Sequence, residues 1–109
     1  MASVLKKGGQ GRYVLSNIAT GQTFTIPKGM KIDYVAVEAL STTVGNISLG
    51  KSGATAEIVG SVAAPTTVGQ VNQLTVIKNL QSLTSDYTAL VTITGGKLVN
   101  LYVQLSKIN

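Results

Sequence analysis

The chain has 109 residues and a mass of 11.3 kDa, a size typical of one domain. It has no cysteine and no histidine, which excludes disulfides, thiolate metal sites and every Ser-His or Cys-His catalytic pair. Nine Lys and Arg against four Asp and Glu give a net charge of +5, yet charged residues make up only 12% of the chain. Two interpretations of this low charge stay open: a protein that works packed against a partner, or an extracellular-type β domain with a neutral polar surface.

The first 12 residues, MASVLKKGGQGR, are basic, rich in glycine and without strand periodicity. They predict a flexible basic arm over 1–12, followed by a single β-sandwich domain over 13–109. We expect Lys6, Lys7 and Arg12 to contact a partner; a frayed terminus without a role is the alternative. The other basic residues are expected on solvated turns and strand edges. These are Lys28, Lys31, Lys51, Lys78, Lys97 and Lys107.

The arm lacks the apolar stretch of a signal peptide, and no apolar run approaches the ~20 residues that span a bilayer. We therefore expect no membrane partner. Beyond the arm, short β-prone runs alternate with Gly, Pro, Asn and Ser breaks, which predicts a series of strands. In the first half these are Tyr13–Leu15, Gln22–Ile26, Ile32–Leu40, Ile47–Leu49 and Thr55–Val59.

The segment Phe24–Gly50 predicts three consecutive antiparallel strands that form the nucleus of one sheet. Pro27 has no amide hydrogen for a ladder, so it ends the first of the three. Further along, Pro65 places 61–69 in a long connection, and 72–80 alternates as another strand.

The C-terminal third alternates most regularly. One apolar face comprises Tyr87, Ala89, Val91 and Ile93, and a second comprises Val99, Leu101, Val103 and Leu105. Between them, Gly95-Gly96 accepts positive φ at both positions and predicts a two-residue β-hairpin. No segment shows helical periodicity over a useful length. The pattern as a whole predicts an all-β fold, an antiparallel β-sandwich of about eight strands with a jelly-roll-like topology.

The four acids give little support to an enzyme. Asp33 and Glu38 are an odd number of residues apart on one predicted strand, so they should project from opposite faces. A glycosidase pair would have to combine Glu57 or Asp86 with one of them across the fold. Cupin enzymes share this class of barrel, but they hold their metal largely by histidine. Because this chain has no histidine, we do not expect cupin metal chemistry. We predict no enzyme, no metal and no cofactor.

Residues 45–52, GNISLGKS, match the phosphate-loop string GxxxxGKS. A phosphate loop needs a helix after the Lys-Ser pair, and the following GATAEIVG is too short and too bounded by glycine to form one. We interpret the string as a surface turn. For nucleic acid, Tyr34 near Lys31 is the one pairing of an aromatic with a basic residue, so specific nucleic-acid binding is not expected.

The string LSNIATGQTFTIPKGMKIDYVAVEALSTTVGNISLG, followed by a Gly/Ser turn and AEIV, resembles small structural proteins of tailed bacteriophages. It is similar to head decoration or cement proteins and related head-fibre base domains with jelly-roll-like folds. The shared elements are an Ile-Pro-x-Gly turn, a long β-branched strand and a Gly-Asn-Ile-x-Leu-Gly segment. The likeness covers Leu15 to Val59 and, more loosely, the end of the chain.

The resemblance implies a non-enzymatic virion protein, made in the host cytoplasm, that binds the exterior of an assembled capsid. It would reinforce contacts between subunits of the major capsid protein, as a homo-oligomer in which a trimer is favoured over a dimer. One alternative is a receptor- or carbohydrate-binding module of a fibre or tail, in which Tyr34, Tyr87 or Tyr102 stacks on sugar rings. Another is a tail or baseplate adaptor.

Overall fold

The computed structural model describes residues 6–7, 12–78 and 84–107. Over these residues the chain forms β-strands in two antiparallel sheets and contains no helix, hence none that could cross a membrane. The strands are β1 (Lys6–Lys7), β2 (Arg12–Ile18), β3 (Thr23–Ile26), β4 (Met30–Ala39), β5 (Asn46–Lys51), β6 (Ala54–Ala63), β7 (Val71–Leu74), β8 (Tyr87–Ile93) and β9 (Val99–Lys107).

The strands pair in a nested order. β5 pairs with β6, β4 with β7, β3 with β8 and β2 with β9, so the first half of the chain lies antiparallel to the second half. This long double ribbon folds over to give one sheet in the order β1-β2-β9-β4-β7 and another in the order β3-β8-β5-β6. Nested pairing across two sheets is the jelly-roll arrangement, so the predicted fold class is confirmed.

One apolar core lies between the sheets, and alternation along the strands supplies it. On β8 and β9 every residue predicted to face inward is buried, whereas the residues between them are exposed or half-buried. From the rest of the chain the core takes mainly β-branched and aliphatic side chains. These include Leu15, Ile18, Phe24, Ile26, Ile32, Val35, Val37, Ile47, Leu49 and Ile58.

Two predictions about strand pairing are wrong. β8 and β9 do not form a hairpin, because β8 pairs with β3 and β5 whereas β9 pairs with β2 and β4. Gly95 and Gly96 do have positive φ, 76° and 68°, but they turn the chain from one sheet to the other. Likewise β3, β4 and β5 are not one nucleus, because β4 lies in the opposite sheet from its neighbours in sequence.

Several strand ends also differ from the predictions. β2 continues to Ile18, one residue past Asn17, which adopts φ 53° at a register shift against β9. β6 continues past Gly60 because a second register shift, against β5, accommodates the extra residues. β7 is only four residues long, so alternation overestimated it; residues 79 and 80 of the predicted strand lie outside the described residues.

The tight connection between β5 and β6 depends on two glycines. Gly53 has φ 89° in the turn, a conformation that other residues rarely adopt. Gly50 faces the returning strand so closely that a Cβ there would collide with the carbonyl oxygen of Ala54 and lie 2.7 Å from the carbonyl carbon of Thr55. Gly60, by contrast, has room: the nearest atom to a Cβ would be Ile77 Cδ1 at 3.9 Å.

We expect Gly50→Ala to lower the free energy of unfolding by about 2 kcal/mol or more, because β5 and β6 must separate to admit the methyl group. The matched control is Gly60→Ala, which should change stability by less than about 0.5 kcal/mol. Urea unfolding followed by circular dichroism measures both. Equal effects of the two variants would contradict the close approach at Gly50.

Candidate functional site

The three predicted partner-binding residues lie at one edge of the five-stranded sheet. Lys6 and Lys7 form β1, opposite Val14 and Tyr13, and Arg12 begins β2. The backbone thus brings Lys6, Lys7 and Arg12 to neighbouring positions. The prediction of a flexible arm over 1–12, and of one domain over 13–109, stays a prediction because most of the arm lies outside the described residues.

The nested pairing places four connections at one end of the sandwich, which we call the loop end. It comprises residues 19–22, 40–45, 64–70 and 94–98, which join β2 to β3, β4 to β5, β6 to β7 and β8 to β9. Backbone hydrogen bonds tie these connections together: Ala64 donates to Gly45 at 2.9 Å, and Gly69 donates to Ala39 at 2.9 Å. The Thr20 hydroxyl accepts a hydrogen bond from the amide of Ile93 at 2.9 Å.

Lys97 is the central side chain of the loop end. It is only 1% exposed, and its Nζ donates to the carbonyl oxygens of Ser41 at 2.8 Å and Thr43 at 2.6 Å. Ordinary lysines are solvated, so the expectation that Lys97 lies on a solvated turn is wrong. Two carbonyls that point inward from the β4–β5 connection give it partners, and Lys97 in turn fixes the course of that connection.

The loop end exposes apolar side chains. Val44 is 77% exposed, Val68 61% and Leu98 40%, and the exposed Val62 and Val71 flank the 64–70 connection. Val44 and Val68 occupy the same place in a repeated tetrapeptide, Thr-Thr-Val-Gly, at 42–45 and 66–69. Sequence reasoning missed this surface because a four-residue repeat has no meaning until the fold brings both copies to one end.

Charge is concentrated away from the loop end. Apart from buried Lys97, residues 19–22, 40–45, 64–70 and 94–98 carry no charge. We call the opposite end, where β2 begins and β9 finishes, the basic end; it carries Arg12, Lys28, Lys31, Lys51 and Lys107 on strand ends and turns. Asp86 at this end accepts a hydrogen bond from the amide of Lys28 at 2.7 Å.

Glu57, the second acid at the basic end, lies in a shallow depression there. Glu57 accepts a hydrogen bond from the Tyr87 hydroxyl at 2.7 Å and lies 4.0 Å from Lys51 Nζ. Burial, and then the hydrogen bond to Glu57, raise the pKa of Tyr87 well above its usual value, so the hydroxyl stays protonated and donates. Tyr87 is therefore a core residue, and its predicted role of stacking on a sugar is wrong.

The five-stranded sheet carries a shallow groove of about 490 Å³ lined on its outer face by Tyr34 and Tyr102. Tyr13 also contributes to the lining, but it lies opposite Val103 and packs against the core. The Tyr102 hydroxyl and the Asn100 amide, the latter at 3.3 Å, donate to Glu38. The hydrogen bond from Tyr102, and then that from Asn100, hold the pKa of the Glu38 carboxyl below its usual 4.5. The same bond to Glu38 raises the pKa of Tyr102.

Two of the four acids, Glu57 and Asp86, line the same shallow depression at the basic end, whereas Asp33 and Glu38 lie on β4 in the other sheet. Glu38, Glu57 and Asp86 each have the separate hydrogen bonds described above, and no group of three acids that could hold a metal occurs in residues 6–7, 12–78 and 84–107. Asp33 is exposed at a register shift between Ile32 and Tyr34, so the parity argument that set it opposite Glu38 does not apply. The phosphate-loop string forms strand β5, whose residues 47–50 are buried, and reaches only the first residue of the turn to strand β6, so the interpretation of the string as a surface turn is wrong. Strand β6, not a helix, follows the Lys-Ser pair, as expected.

Replacing Lys97 by Met should lower the free energy of unfolding by about 1–3 kcal/mol, because the carbonyls of Ser41 and Thr43 lose their donor. Lys51→Met is the matched control. Its ammonium is exposed and its ion pair is long, so a change below about 1 kcal/mol is expected. Urea unfolding measures both variants. If Lys97→Met lowers the free energy of unfolding no more than the control does, the hydrogen bonds from Lys97 do not stabilise the connection.

The stabilisation from Glu38 should depend on pH. A carboxyl whose pKa is lower in the folded than in the unfolded chain stabilises the fold above the unfolded pKa, and this contribution is lost as the pH falls through the folded pKa. The stability difference between wild type and Tyr102→Phe should thus be present at neutral pH and shrink once the pH drops below about 4.5. Urea unfolding at several pH values across this range measures the stability difference, with Tyr34→Phe as control. A difference that stays constant as the pH falls would contradict the role of Glu38.

Comparison with known proteins adds a likeness of fold. No protein-family model matches the chain, and no curated protein matches it. Among solved structures, the chain is similar to one described as "Capsid of Ralstonia phage GP4", with 12% sequence identity and a TM-score of 0.53. The alignment covers 100% of this chain and 92% of that chain. At this identity the likeness shows a shared fold from end to end.

Proposed function

We propose that this protein is a structural component of a bacteriophage virion, a capsid decoration or cement protein. In this role it binds the exterior of the assembled head and reinforces contacts between subunits of the major capsid protein. The observation that carries the proposal is the end-to-end likeness of its fold to a chain of a phage capsid. Similar length matters here because a jelly roll embedded in a larger enzyme would be covered only in part.

The described side chains favour adhesion over catalysis. The carboxylates of Glu57 and Glu38 are held by tyrosine hydroxyls, and that of Asp86 by a backbone amide. Each of these carboxylates thus has a partner within the protein. The proposed function therefore includes no enzymatic activity and no cofactor.

The basic end offers a surface for an acidic partner. Lys6, Lys7 and Arg12 lie at its sheet edge, and Lys28 lies on the nearby β3–β4 turn. Clustered basic residues on a protein of net charge +5 attract an acidic surface at long range and orient the encounter. We place the contact with the major capsid protein here, and we place the protein, made in the host cytoplasm, on the outside of the head as a homo-oligomer, with a trimer favoured over a dimer.

A carbohydrate- or receptor-binding module is the second candidate, favoured by the tyrosine-lined groove. Tyr34 and Tyr102 lie on neighbouring strands with Gln104 beside them, an arrangement in which rings stack on a sugar and an amide bonds its hydroxyls. A glycan array separates the two functions: retained glycans whose signal falls in Tyr34→Ala would favour the module.

Binding to capsids is tested with particles of the phage that encodes this chain, prepared without the protein. Lys6→Gln combined with Lys7→Gln should weaken binding about tenfold or more and make it less sensitive to salt, because charge pairs with acidic capsid residues are lost. Co-sedimentation and the heat resistance of the particles measure it.

Lys6→Arg combined with Lys7→Arg keeps the charge at the same two positions and serves as control; it should bind as the wild type does. Full occupancy and unchanged heat resistance with the Lys6 and Lys7 variant would refute the role of these residues. Failure of the wild-type protein to bind any particle would refute the decoration function itself.

A further inference from the structure

We propose that copies of this chain associate with one another through the loop end. This inference deepens the homo-oligomer included in the proposed function and rests on that part of it. The surface consists of the two Thr-Thr-Val-Gly segments at 42–45 and 66–69, together with Leu98.

Exposed apolar area is the first argument. Among the described residues, six large hydrophobic side chains are exposed, and three of them, Val44, Val68 and Leu98, lie in the connections of the loop end. Two more, Val62 and Val71, are on the strands that flank the 64–70 connection. Scattered apolar side chains on a surface need no explanation, whereas a cluster at one end marks an interaction site. Val44 and Val68 stand out most, at 77% and 61% exposed.

The distribution of charge indicates that the partner of the loop end is a second copy of this chain. An interface between identical subunits related by symmetry brings similar surfaces together, so a basic surface meets basic charge and is repelled. The basic end is therefore unsuited to self-association in a chain of net charge +5. The loop end, whose charged residue Lys97 is buried, is complementary to itself because valine, leucine and threonine pack against the same side chains.

Rigidity supports the same surface. Lys97 fixes the carbonyls of Ser41 and Thr43, and the hydrogen bond from Ala64 to Gly45 ties the start of the 64–70 connection to the first Thr-Thr-Val-Gly segment. Loops held in this way lose little conformational entropy on association, so more of the energy of apolar burial remains as affinity. Val44 and Val68 are presented on a preformed surface.

Sedimentation velocity of the purified full chain, over a wide range of concentration at low and high salt, tests the inference. We expect a reversible oligomer that persists at high salt, because apolar contacts survive screening while repulsion between basic ends is weakened. Val44→Lys combined with Val68→Lys should weaken association about tenfold or more, since it places cations in the contact.

The control is Ile77→Lys, which introduces a lysine at an equally exposed position away from the loop end and should associate as the wild type does. Circular dichroism melting checks that all variants are folded. A wild type that stays monomeric at every concentration would overturn the inference, and so would a double variant that associates as strongly as wild type. Because no capsid is present, either failure is distinguishable from a failure to bind particles.

Discussion

The antiparallel pairing of the chain's first half with its second half determines where every other feature of this protein lies. β5 and β6 form the innermost pair and β2 and β9 the outermost, and the double ribbon folds into two sheets over one core. Because each limb crosses between the sheets twice at the same end, all four of these connections meet there. The pairing of β4 with β7 and of β5 with β6 places the 40–45 and 64–70 connections side by side, which makes the two valine-bearing segments neighbours.

This topology gives the molecule two chemically different ends. Strand termini at one end carry most of the described lysines, whereas the connections at the other are built from threonine, valine and glycine around one buried lysine. Buried carbonyl groups need hydrogen-bond donors. Lys97 Nζ supplies them directly to the two inward-pointing carbonyls of the β4–β5 connection. A scaffold with a basic end and an uncharged end can bind two kinds of protein surface at once.

The fold class and the inward faces of β8 and β9 could be predicted from sequence, because alternation of apolar residues reports burial directly. The pairing of the strands could not be predicted from sequence. Gly95 and Gly96 have the positive φ values that a hairpin turn requires. A connection that crosses between sheets uses the same φ values, so the local sequence does not distinguish the two. The buried position of Lys97 was equally hidden, since it depends on carbonyls more than fifty residues away in sequence.

For the function that we propose, electron cryomicroscopy of native particles of the encoding phage is the most direct test, because it shows both ends of the sandwich in place. We expect density for the protein on the outside of the head, with the basic end turned toward the shell and the loop ends of neighbouring copies in contact. Density on the tail alone, or a loop end seated on the shell with Lys6 and Lys7 facing solvent, would contradict it.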